Sequence, residues 1–118
     1  MSPRFPQSLY SSGSEPDPRF SLANERTFLA WVRTSLALLA SGVALEALQI
    51  PVSPGFRLAA ALVFVVLGVL AALQAWVGWV RTERALRLSR SLPGPSVGLV
   101  IVLGVVLGVV LLALGYFL

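Results

Sequence analysis

The chain has 118 residues, of which 57% are hydrophobic and 12% charged, with a formal charge of +4 and a mean hydropathy of +0.86. A soluble domain is nearer a quarter charged, and a chain this short cannot bury so much apolar surface against itself, so lipid must solvate much of it. Cysteine and histidine are both absent, which excludes disulfides, thiolate nucleophiles, the usual zinc ligands and the usual general base.

Residues 1–20 hold four prolines and five serines without a periodic apolar pattern. They are expected to form a disordered tail. This stretch has no apolar core of the kind a cleavable signal peptide needs, so the first apolar helix is expected to direct insertion.

Three apolar segments follow, 27–48, 58–80 and 97–118, each of 22 or 23 residues; about 20 suffice to span a bilayer core. Gln49 to Gly55 breaks the first from the second, and Ser91 to Pro95 the second from the third. Ser96 is placed to cap the third helix. In lipid only helices or closed barrels satisfy the backbone, and barrel strands would be about half as long. The expected fold is therefore an all-α integral membrane protein with a three-helix domain over 21–118 and helices at about 22–49, 57–90 and 96–118.

The nine basic residues are all arginines. Arg4, Arg19 and Arg26 precede or open helix one, and Arg81, Arg84, Arg87 and Arg90 fill the second connection. Only Arg57 lies in the first connection, and none follows helix three. The positive-inside rule then predicts a cytoplasmic N-terminus and an outer C-terminus. Trp76 and Trp79, just before the arginine run, match an interfacial aromatic belt, and Tyr116 could mark the opposite one. These positions speak for a membrane and against nucleic acid as the partner of the positive charge.

Small residues recur on each helix: Thr27, Ala30, Thr34, Ala37, Ser41 and Ala44; then Ala61, Gly68, Ala71, Ala75 and Gly78; then Gly104, Gly108 and Gly115. Such seams allow close backbone approach. They serve either packing among the three helices or association of subunits, and helix three is expected to turn its GxxxG to lipid or a neighbouring subunit.

Arg26 and Arg33 share one helical face about 10 Å apart along the axis. A charge as deep as Arg33 either snorkels to the head groups or meets an anion in a water-filled or protein-lined cavity. Arg81 and Arg84 come to the same side of the membrane, and the four guanidiniums together would concentrate phosphate or another anion. For Arg81 to Arg90 the competing expectation is topology signalling and contact with anionic lipid. Glu25 suits the start of helix one, Glu83 and Arg87 are spaced as a helical ion pair, Glu46 either snorkels outward or marks an outer mouth, and Gln74 is expected to bond across helices. No catalytic or metal constellation appears, so neither an enzyme nor a cofactor is expected.

The stretch Leu22 to Thr34, with Asn24, Glu25, Arg26, Thr27, Phe28, Trp31 and Arg33 at its core, closely resembles the signature of domain-of-unknown-function family number two hundred and two, which includes the YidH-like bacterial inner-membrane proteins. That resemblance implies a small multi-pass protein of the inner membrane with three helices. The Glu25–Leu29 and Trp31 core is also similar to the membrane domain of the yeast vacuolar transporter chaperone complex, which conducts polyphosphate through an oligomeric channel. The likeness implies a homo-oligomeric pore or channel subunit for phosphate-like anions or polyphosphate. The competing expectation is a non-transporting scaffold or regulatory subunit whose arginines bind anionic membrane lipid.

Overall fold

Asp17 and Pro18 start the first long helix. The computed structural model describes residues 4–92, 94 and 96–118, which form one short turn, α1 (Gln7–Tyr10), and three long helices, α2 (Pro18–Ala47), α3 (Pro54–Arg87) and α4 (Ser96–Phe117). The Asp17 carboxylate accepts from the Arg19 amide at 2.9 Å, and Pro18 has no amide to leave unpaired in the first turn. α2 therefore begins upstream of the expected residue 22. α2 and α3 stop alike. Gln49 (φ 48°) and Ser89 (φ 53°) turn left-handed just past each helix. The Ile50 amide then reaches back to the Leu45 carbonyl at 3.4 Å, and the Arg90 amide to that of Ala85 at 2.8 Å, which satisfies carbonyls the helix ends would otherwise orphan.

All three long helices are long and apolar enough to cross a membrane, at 30, 34 and 22 residues, so the chain is all-helical as composition requires. α3 is the hub. α2 and α4 both pack along it, and no Cα of α2 comes within 8 Å of a Cα of α4 among the described residues. The core joins Leu38 of α2, Ala60, Phe64, Leu67 and Ala71 of α3, and Ile101 of α4. In lipid, burial of apolar surface gives little drive to associate, so the helices depend on close approach and interhelical hydrogen bonds. Glycines make that approach. A Cβ on Gly42 would lie 2.8 Å from the Ala61 carbonyl oxygen, one on Gly68 2.7 Å from Leu39, one on Gly104 2.6 Å from Leu67, and one on Gly108 2.6 Å from Phe64. Halfway along, the Ser35 hydroxyl donates to the Gly68 carbonyl at 2.7 Å.

Several expectations about faces need correcting. The α2 residues that pack on α3 are Asn24, Ser35, Leu38 and Gly42, whereas Thr27, Ala30, Ala37 and Ser41 of the expected seam are exposed. The Gly104–Gly108 face of α4 packs on α3 rather than turning to lipid or a neighbour, because Leu67 and Phe64 fill the space the glycines leave. Gly78 faces its own helix, with Gln74 folded over it, and Gln74 makes no cross-helix hydrogen bond among the described residues. The polar bond between helices comes from Ser35 instead. Glu83 and Arg87 do not pair: each is buried with other partners. Glu46 meets Arg57 at 3.3 Å across the α2–α3 turn. Ser96 is the first residue of α4, not the cap before it.

The stretch expected to be disordered has a place in the fold. Residues 4–17 form a strap across the C-terminal end of α3, with α1 within it and Leu9 fully buried. Residues 1–3, and Pro93 and Pro95 of the second break, lie outside the described residues.

Candidate functional site

The N-terminus of α2, the C-terminus of α3 and the N-terminus of α4 meet at one end of the molecule. Asn24, only 6% exposed, fastens α2 to α3 there. Its side-chain amide donates to the Trp79 carbonyl at 3.1 Å and to Glu83 Oε1 at 3.3 Å, and the Ser21 hydroxyl donates to Glu83 Oε2 at 3.2 Å. Glu83 is 4% exposed and thus satisfied from α2. Among the described residues no buried side-chain nitrogen or oxygen lacks a partner.

One turn further along α3, Arg87 is spent on the strap. Its guanidinium donates to the Tyr10 carbonyl at 2.7 Å, the Ser12 carbonyl at 2.8 Å and Glu15 at 3.1 Å. Arg4 also pairs with Glu15, and both arginines lie over the Tyr10 ring, at 4.1 and 5.2 Å from its centre. Hydrogen bonds first from Arg4 and then from Arg87 hold the Glu15 carboxyl below its ordinary range. The Ser14 amide caps the Arg87 carbonyl at 3.0 Å. Gly13, at φ +57°, passes so close to that carbonyl that no side chain fits, which is why the strap carries glycine here. Phe5 stacks on Trp76, and Trp76 on Trp79.

On the far side of this junction lies a polar pocket of about 230 Å³. Thr27, Phe28 and Trp31 of α2, Gln74, Trp79, Arg81 and Thr82 of α3, and Gly94 and Ser96 at the start of α4 line it, with Asn24 at its inner wall. Among the described residues no acidic side chain lines it. Arg81 makes no ion pair or hydrogen bond among the described residues. Arg84 sits half-buried at the same end but does not line the pocket.

Arg26 and Arg33 are elsewhere. Nine residues make two and a half helical turns, so Arg33 stands opposite the buried Asn24, and Arg26 opposite the buried Ser35. Both are exposed and unpaired among the described residues. The four arginines thus do not form one site: Arg81, itself exposed, lines the pocket, Arg84 lies beside it, Arg26 faces outward at the same end, and Arg33 faces outward two turns deeper. Glu25 is exposed beside them, and the Thr27 hydroxyl is returned to the Ala23 carbonyl of its own helix at 3.2 Å. Reasoning from sequence missed the roles of Ser21, Ser35, Glu83 and the strap. The nine-residue offset between a polar amide and an arginine was the signal available for the two faces. Among the described residues no group of three or more acids could hold a metal.

These features define a small polytopic membrane protein, polar-pinned at one end and without a catalytic constellation among the described residues. The chain belongs to the family described as Domain of unknown function (DUF202), whose pattern matches residues 19–85, a span that includes both Asn24 and Glu83. It is 43% identical over 108 residues to Inner membrane protein YidH of Escherichia coli (strain K12), covering 86% of this chain and 94% of that protein. It is 46% identical over 102 residues to Uncharacterized protein Rv2272 of Mycobacterium tuberculosis (strain ATCC 25618 / H37Rv), covering 85% of this chain and 84% of that one. No solved structure matches the chain. It is a multi-pass protein of the inner membrane.

Proposed function

We propose that the chain forms a homo-oligomer whose α2 helices turn Arg26 and Arg33 toward a shared path for phosphate-like anions, phosphate or polyphosphate, with the arginine-rich end in the cytoplasm. It does so without enzymatic chemistry. Arg33 carries this reading. Asn24 lies level with Trp79, an interfacial residue type, and Arg33 is nine residues further on, about 14 Å deeper. The hydrocarbon half-thickness is about 15 Å, and a charge near the centre costs roughly 2.5–3.5 kcal/mol on insertion scales. Snorkelling on a flexible stem recovers only part of that depth. A water-lined path between copies removes the cost, and Ala37 and Ala44 on the same face permit the approach of a second helix. The orientation is supported by the clustering of Arg4, Arg19, Arg26, Arg81, Arg84, Arg87 and Arg90 at one end, with Arg57 alone at the other.

The test combines native mass spectrometry in lipid nanodiscs with phosphate and short-polyphosphate flux into liposomes. A single closed oligomer of several copies is expected, with flux that falls in Arg33→Ala while assembly is unchanged. A monomer or loose dimer that conducts nothing overturns the reading and leaves the non-transporting scaffold or regulatory subunit, in which Arg33→Ala changes lipid binding alone.

A further inference from the structure

α2 and α4 lean on α3 with their Cα traces more than 8 Å apart, and a two-part cleft lies between them, bridged by Trp31. Its upper part is the polar pocket of about 230 Å³. Below it runs a groove of about 280 Å³, lined by Thr27, Ala30, Trp31 and Thr34 of α2 and by Gly98 and Ile101 of α4. Thr27 and Trp31 line both parts, so the two chambers adjoin along one face of α2. From Thr27 to Thr34 the groove descends about 10 Å, most of the depth of one leaflet's hydrocarbon.

The charge is one-signed. Among the described residues no Asp or Glu lines either chamber, while Arg81 stands in the upper one without a partner. Ser96 adds a hydroxyl there, and the first turn of α4 adds amide groups at the positive end of a helix dipole. Trp31 belongs to both chambers, and Trp79 and Phe28 line the upper one, a setting between polar and apolar space where such rings are favoured.

We infer that this cleft holds one anionic glycerophospholipid from the leaflet at the arginine-rich end, its phosphodiester on Arg81 beside the start of α4 and one acyl chain in the groove beneath Trp31. The site is separate from the proposed anion path, which lies on the face of α2 turned away from α3. A free phosphate would occupy the upper chamber only and would be indifferent to the groove, and this distinguishes the two sources of the same chemistry.

Gly98 provides the probe for the groove. A Cβ there meets nothing nearer than Trp31 at 4.0 Å, so Gly98→Leu fills the groove without disturbing backbone packing. Arg81→Ala empties the upper chamber of charge, and Arg90→Ala, exposed and outside the cleft, is the control. The full chain in mild detergent is titrated with phosphatidylglycerol, phosphatidylethanolamine and inorganic phosphate, and bound mass is read by native mass spectrometry. One phosphatidylglycerol per subunit is expected, in preference to phosphatidylethanolamine and not displaced by millimolar phosphate. Arg81→Ala and Gly98→Leu should each weaken it about tenfold, the scale of one charge-assisted contact, and Arg90→Ala should not. Unchanged phosphatidylglycerol binding in either cleft variant overturns the inference. So does displacement of the lipid by inorganic phosphate, which assigns the pocket to a free anion.

Discussion

Replacing Asn24 by alanine tests the join between α2 and α3 most directly. The side chain is 6% exposed and donates to the Trp79 carbonyl at 3.1 Å and to Glu83 Oε1 at 3.3 Å. Without it, the buried Glu83 keeps only the Ser21 hydroxyl at 3.2 Å. A hydrogen bond to a carboxylate contributes about 1.5–3 kcal/mol and one to a neutral acceptor about 0.5–1.5 kcal/mol. Asn24→Ala should therefore destabilise the fold by roughly 2–4 kcal/mol, most of it from the stranded carboxylate. Asn24→Asp should do worse, because it sets two carboxylates against each other. Reversible denaturation in micelles, followed by tryptophan fluorescence, measures the loss. A double cycle with Glu83→Gln should return a coupling of about 1–2 kcal/mol. A loss under about 0.5 kcal/mol for Asn24→Ala would mean that this contact does not hold the helices, and the argument from Asn24 to the outward placement of Arg33 would fall with it.

Gly42→Ala puts a methyl 2.8 Å from the Ala61 carbonyl oxygen, and because backbone cannot step aside, α2 must lift from α3 at a cost of about 1–3 kcal/mol. The same change at Gly98 meets only the Trp31 ring, at an ordinary 4.0 Å, and should stay within about 0.5 kcal/mol of wild type in the same assay. Arg87→Ala removes three bonds that tie down the strap, so limited trypsin cleavage at Arg4 and Arg19 should accelerate several-fold; equal rates would show that the strap is held by something else. Glu15 titrates below its ordinary value because Arg4, then Arg87, bind its ionised form. Its contribution to strap docking is therefore complete above the free carboxylate value and disappears as pH falls through the lower, docked one. Amide-exchange protection of residues 7–14 should accordingly drop in acid, and Arg87→Ala should flatten that pH dependence.

The spans were legible because lipid demands them: twenty-odd apolar residues between proline-rich breaks have no other soluble or barrel solution. The faces were harder to read, because a small residue means the same thing on a buried seam and on an exposed one. Thr27, Ala30 and Ala37 read as a packing stripe, yet Ser35, Leu38 and Gly42, a set centred about 100° further round the helix, are the ones that touch α3. The spacing of Gly104 and Gly108 invites a close neighbour, but only the folded chain shows that Leu67 and Phe64 are that neighbour. The helical spacing of Glu83 and Arg87 suggested a pair. Tertiary partners won, because a buried carboxylate gains more from Asn24 and Ser21 held by another helix than from one flexible guanidinium on its own. The strap was invisible for a related reason. Its composition lacks a core of its own, and it is ordered by Arg87, which lies 70 to 80 residues downstream.

Three surfaces of α2 now carry separate demands, and helical geometry keeps them apart. Asn24 and Ser35 face α3. Thr27 and Thr34, about 60–100° around the helix from them, wall the cleft toward α4. Arg26 and Arg33 stand on the remaining side. Because Arg33 and Thr34 are adjacent in sequence but 100° apart in direction, an anion path and a lipid cleft can use the same two turns without sharing a side chain. That separation has a structural condition: α4 must stay off α2. Gly104, Gly108 and Gly115 meet it by seating α4 against Leu67, Phe64 and Phe56 of α3, so the glycines of the last helix leave the space that the first long helix lines.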